Sequence, residues 1–154
     1  MPVANITQLY GGSVSDFYVS NGIVDGTLTA GDGITAVLTG YDPNLEVVLT
    51  GSGFTYDGTP TFNDGEDVSS GTITQFDFYW YGALALTISG LSMSATDLAA
   101  AIEQIHVHGD ETAFNALFDI YDINYDSTGI AGYTVIDVEG SAGNDTFTFG
   151  PSED

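Results

Sequence analysis

The stretch Thr72-Ile73-Thr74-Gln75-Phe76-Asp77-Phe78-Tyr79-Trp80-Tyr81, then Gly82-Ala83, then Leu84-Ala85-Leu86-Thr87-Ile88-Ser89, decides the fold class. In the first run Ile73, Phe76, Phe78 and Trp80 stand against polar neighbours. In the second, Leu84, Leu86 and Ile88 recur with period two, the period at which strand side chains share a face. Gly82 and Ala83 supply the turn, so the two runs predict a hairpin at the centre of a sheet.

The pattern continues toward the N-terminus. Short β-branched and apolar runs punctuated by Gly, Asn, Asp and Pro predict strands at 3–10, 14–19, 23–29, 34–39, 45–50 and 54–56. Asp42-Pro43-Asn44 reads as a turn, with Pro pre-set for the bend. Helical spacing begins only after Leu91. Ser94-Ala95-Thr96-Asp97 fits a capping box, and Leu98, Ile102 and Ile105 follow at helical intervals up to His108-Gly109. Asp110 is placed to cap a second helix with Phe114, Leu117, Phe118 and Tyr121 on its apolar stripe. Strands are expected again at 133–138 and 146–149. The predicted architecture is α+β: a mainly antiparallel β-sheet with two consecutive helices packed on one face. It forms one domain over 1–154, β-rich at 1–93, helical at 94–121 and stranded again at 131–150.

Charge sets the functional bounds. The chain carries 22 Asp and Glu and no Lys or Arg, for a formal charge of -22. Average composition would supply on the order of 15 basic side chains in such a length. Without them the chain cannot neutralise a phosphate backbone or an anionic membrane, which excludes nucleic-acid binding and polybasic membrane attachment. Phosphoryl transfer lacks its lysine or arginine, and Schiff-base chemistry is impossible. There is no cysteine, hence no disulfide or thiolate. No apolar run approaches the roughly 20 residues of a membrane span, so no membrane insertion is expected. Yet 43% of the residues are hydrophobic, with nine Phe, nine Tyr and one Trp, unlike a disordered acidic chain. A core of this kind at such a charge calls for positive charge from outside, and divalent cations suit carboxylate oxygens.

Three acidic segments are candidate calcium ligands. Asp122-Ile123-Asn124-Tyr125-Asp126 has the D-x-N-x-D spacing that brings Asp122, Asn124 and Asp126 onto one ion in calcium loops. It is not an EF-hand, because Ser127 stands where the turn glycine belongs and Tyr133 where the bidentate Glu belongs; a solvated loop is the alternative. Asn63-Asp64-Gly65-Glu66-Asp67 crowds Asp64, Glu66 and Asp67 around a turn, either about a cation or in a flexible acidic loop. The third is Gly140-Ser141-Ala142-Gly143-Asn144-Asp145-Thr146-Phe147-Thr148-Phe149-Gly150. His106-Val107-His108 reads as a helix C-terminus, where imidazole suits the dipole.

That third segment resembles one unit of the calcium-binding nonapeptide of RTX proteins, G-G-x-G-x-D-x-U-x, with Ser141 in place of the second glycine. The resemblance implies calcium held by Asp145 and by groups of Gly143 and Asn144, with Phe147 pointing inward. RTX turns share ions with their neighbours, so a lone unit is expected to complete its site only with another molecule. Gly51-Ser52-Gly53-Phe54-Thr55-Tyr56-Asp57-Gly58, Gly71-Thr72-Ile73-Thr74 and Leu86-Thr87-Ile88-Ser89-Gly90-Leu91-Ser92 resemble the non-repeat segments beside RTX arrays in secreted bacterial proteins. This implies type I secretion, which needs no N-terminal signal peptide, and residues 1–6 have none of the marks of one.

The same region is similar, more loosely, to secreted hemophores, which implies Tyr56 as a haem-iron ligand; no histidine precedes residue 106 to act as the second. The expected function is therefore a secreted, non-enzymatic calcium-binding structural or adhesive protein, a homo-oligomer or polymer that forms an extracellular fibre or matrix. The uncharged segment 3–10 is expected to add to a neighbour's sheet edge. A haem-binding protein is the alternative; no other small-molecule ligand is expected.

Overall fold

Tyr81 and Gly82 both have positive φ, 49° and 77°, the backbone of a two-residue hairpin turn whose twist matches its strands. The turn lies one residue before the expected Gly82-Ala83. In this computed structural model residues 1–56, 68–130 and 136–150 are described. The strands are β1 (Val3–Gln8), β2 (Gly12–Ser13), β3 (Thr27–Gly31), β4 (Thr35–Thr39), β5 (Leu45–Tyr56), β6 (Val68–Trp80), β7 (Ala83–Ser94), β8 (Asp122–Asp126), β9 (Ile136–Asp137) and β10 (Thr146–Thr148). The α-helices are α1 (Ala95–His108) and α2 (Thr112–Phe118).

Eight strands form one sheet in the order β10-β8-β1-β7-β6-β5-β4-β3, with the predicted hairpin β6–β7 at its centre. The α+β class holds, but the sheet is mixed. From β1 to β3 all neighbours are antiparallel, whereas β1–β8 and β8–β10 are parallel. A separate parallel pair joins β2 and β9.

Although three ladders contain register shifts, neighbouring rows of partners cross the whole sheet between them. Gly31, Ala36, Leu49, Phe76, Ile88, Ile6, Tyr125 and Phe147 form one row of Cα partners. The six inner members are buried. The adjacent row is Ala30, Val37, Val48, Asp77, Thr87, Thr7, Asp126 and Thr148, all at least partly exposed on the opposite face.

The helices lie over the buried row. Ser94 Oγ accepts the Asp97 N–H at 3.2 Å, and Gly109 ends α1 in the left-handed conformation at φ 66°. Leu98, Ala99, Ala101 and Ile102 of α1 are buried. The N-cap of α2 is Glu111 rather than the expected Asp110, which stands one residue earlier and accepts the Thr112 N–H at 2.9 Å in a local turn; Phe114 buries its ring from α2.

Four strand expectations are corrected. Residues 14–19 and the start of 23–29 form not strands but a wide π-type helical segment, Val14–Val24, whose end shows the i to i−5 bond Asp25 N–H to Ser20 O at 2.8 Å. Its buried residues, Val14, Tyr18 and Gly22 to Val24, recur every four or five positions. Residues 45–50 and 54–56 are one bulged strand. Leu84 leaves the face of Leu86 and Ile88 because the ladder shifts between Phe78 and Tyr79. Finally, the segment expected to add to a neighbour's sheet edge is engaged within its own sheet: β1 is paired on both sides, by β7 and by β8.

Candidate ion-binding loop

Asp122-Ile123-Asn124-Tyr125-Asp126 is the strand β8, not a loop. Its apolar residues alternate, with Ile123 and Tyr125 buried under the helices. Asp122, Asn124 and Asp126 therefore line up along the opposite face, roughly 6.6 Å apart at each step of two residues, and do not converge on one point. Asn124 Nδ2 donates to Asn5 Oδ1 at 2.9 Å, and Asp126 Oδ1 accepts the Thr128 N–H at 2.8 Å.

The segment 140–150 closes against the start of β8. Asp145 Oδ1 accepts the Ile123 N–H at 2.7 Å, and its Oδ2 accepts the Ser141 N–H at 2.8 Å. Asp122 Oδ1 in turn accepts the Asn144 N–H at 2.8 Å. Ser141 Oγ accepts the Gly143 N–H at 3.0 Å and has Tyr121 O at 2.6 Å and Asp145 Oδ1 at 2.9 Å within reach of its single hydrogen. The glycines have a steric reason. A Cβ on Gly143 would stand 2.4 Å from Asp122 Oδ1 and 3.2 Å from Tyr121 O, and one on Gly140 would stand 2.5 Å from Asp145 Oδ2.

These bonds hold the Asp145 carboxyl below the usual range, the Ile123 N–H contributing most. The Thr128 hydroxyl first, and the Thr128 N–H second, lower Asp126 as well. A carboxylate offers about four lone-pair positions, so the donors already present and a cation are compatible. Asp122, Gly143, Asn144 and Asp145 are thus brought together, whereas Asn124 and Asp126 point elsewhere along the strand. Among the described residues no group of three or more His, Asp or Glu side chains stands close enough to hold a metal ion. Asp64, Glu66 and Asp67 lie outside the described residues.

Tyr56 is engaged with backbone. Its hydroxyl reaches Asp32 O at 3.1 Å and Thr35 O at 3.3 Å, and its ring fills the space that Gly31 leaves. Partial burial first, and the Asp32 charge second, push its pKa up, which disfavours the phenolate that iron needs. His106 Nε2 sits 2.8 Å from Val24 O at the end of α1, the helix terminus expected for this histidine.

Sequence reasoning missed Ser141 as the hub of the loop. Its place at the second glycine of the motif was the available signal, since a serine there trades backbone freedom for a hydroxyl. It also missed the buried pair behind β8: Tyr125 donates to Gln8 Oε1 at 2.5 Å, while Gln8 Nε2 donates to Tyr10 O and Gly12 O, each at 2.8 Å. A cavity of about 310 Å³ between the π-type segment, α2 and the sheet is walled by Ile6, Val14, Phe114 and Phe118, with Asp119 and Glu139 also lining it.

No protein-family model, curated protein or solved structure matches this chain.

Proposed function

We propose that the protein is a secreted, non-enzymatic calcium-binding structural protein that self-assembles into an extracellular fibre or matrix. The observation that carries this reading is the pairing of a well-packed sheet core with 22 carboxylates and no Lys or Arg. Copies of such a chain repel one another as they come into contact, within the roughly 8 Å over which physiological salt leaves charges unscreened. Divalent cations between carboxylates remove that repulsion, and calcium takes the oxygen ligands that Asp, Glu and backbone carbonyls supply. The RTX-like segment supports the choice of calcium. Its Asp145, and Asp122 of the adjoining β8, are ordered by N–H groups, which lowers the entropy that an ion would have to remove on binding.

Light scattering with millimolar calcium, before and after EGTA, tests the reading. Particles that grow in calcium and dissolve in EGTA are expected; a monomer in both conditions contradicts it.

A further inference from the structure

β3 and β10 are the two edge strands of the large sheet. β3 reads Thr27-Leu28-Thr29-Ala30-Gly31 and β10 reads Thr146-Phe147-Thr148, so neither edge strand bears a charge in a chain of formal charge -22. Proteins usually blunt such edges with charged side chains or proline. At β10, among the described residues, apolar surface is exposed: Phe147 and Phe149 are 36% and 56% exposed, their rings parallel within 7° and 6.4 Å apart. Phe147 ends the buried row of the sheet, and Gly31 ends the same row at the other edge.

Strand direction makes these edges complementary. Through the antiparallel ladder from β1 to β3 and the parallel steps from β1 to β10, β10 runs opposite to β3. A second copy that continues the twisting sheet head to tail therefore sets its β3 antiparallel beside β10. A contact between two different patches of identical copies does not close on itself and generates a filament.

Resting on the self-assembly reading above, we infer that the occupant of the β10 edge is β3 of a second copy, so that one continuous antiparallel junction joins successive molecules. If the rows run on, Thr148 lies beside Ala30 of the next copy and Phe147 beside Gly31, where it meets the ring of Tyr56. The same register sets Thr146 beside Asp32, which brings Asp145 of one copy near Asp32 of the other. A cation between two carboxylates that meet in this way removes their repulsion, which is how the junction takes on its calcium dependence. Eight strands at about 4.8 Å fix an axial repeat of roughly 38 Å per copy. Twist of about 20–25° per strand rotates each copy by roughly 160–200°.

The chain has no cysteine, so the junction can be trapped cleanly. Ala30→Cys and Thr148→Cys place thiols at exposed edge positions. Mixed in calcium under mild oxidation, the two variants are expected to give a covalent heterodimer, while each alone gives none. Cryo-electron microscopy of wild-type filaments is expected to show the repeat near 38 Å. Filaments without the cross-link, or with another repeat, overturn the β3–β10 junction and leave calcium-dependent assembly standing. Wild type that stays monomeric in calcium overturns both.

Discussion

Asp145 accepts the backbone N–H of Ile123 at 2.7 Å, so the one side-chain carboxylate of the RTX-like segment also fastens that segment to β8. The structural role of this residue and the ion-binding role proposed for it predict different things. Asp145→Ala removes the acceptor of both the Ile123 and Ser141 N–H groups, so its melting temperature is expected to fall without any calcium. Its calcium-specific rise in melting temperature is expected to shrink as well. Thermal melts in EGTA and in calcium read the two effects separately. A variant more stable than wild type in EGTA would mean that repulsion outweighs these bonds.

Behind that loop, Gln8 and Tyr125 share a hydrogen bond in the dry interior, where both side chains are fully buried. Tyr125→Phe leaves Gln8 Oε1 unpaired and is expected to cost about 1–3 kcal/mol. Urea unfolding measures it. Gln8→Leu also removes the donor to Tyr10 O and Gly12 O, so the double variant is expected to be less stable than Tyr125→Phe but to lose less than the two single losses added, because the singles share one bond. A single variant as stable as wild type would contradict the assignment.

Acid is expected to act late. Asp32, Asp110, Asp126 and Asp145 are all held below the usual carboxylate value of 3.8 by N–H and hydroxyl donors. A carboxylate whose folded-state pKa is depressed contributes stability that is present above 3.8 and lost as pH falls through its lower folded value. These four groups therefore add no loss between neutral pH and the mid-fours and a progressive loss below. Circular dichroism melts across that range check it. Stability that climbs without a break down to pH 2 would show that relief of repulsion dominates.

How far the sequence foretold this molecule depends on which signal each segment carried. The β6–β7 hairpin, the Ser94 cap and the Gly109 stop were legible because each rests on a local steric or hydrogen-bonding rule. Val14–Val24 was not, because Val, Phe, Tyr and Ile read as strand residues and a π-type coil has no standard period. β8 was hidden for another reason. Its Asp, Asn and Asp spacing imitates a calcium loop, while the alternation of Ile123 and Tyr125 that marks a strand spans only five residues. The parallel pairing of β1 and β8 is a contact across 119 positions in sequence, which no local pattern encodes. Within the candidate site, Asp145 and the glycines were legible from the motif; the roles of Ser141 and Asp122 as partners inside the loop were not.

The haem alternative makes its own prediction. With its hydroxyl shared between Asp32 O and Thr35 O, Tyr56 is expected to leave a haem titration without a change in the Soret band. Tyr56→Phe is expected to cost roughly 1 kcal/mol of stability through the lost hydrogen bonding. A Soret shift present in wild type and lost in Tyr56→Phe would restore the iron-ligand reading.

The central claim is that calcium itself, rather than salt in general, offsets the charge of the folded chain. An ion that binds only the folded state adds about 2.7 kcal/mol per site at a hundredfold excess over its dissociation constant. A few such sites rival the whole stability of a domain, roughly 5–15 kcal/mol. The most direct measurement is the melting temperature in calcium chloride against sodium chloride at equal ionic strength. The account predicts a large excess rise in calcium, reversed by EGTA; equal melting temperatures in the two salts would contradict it.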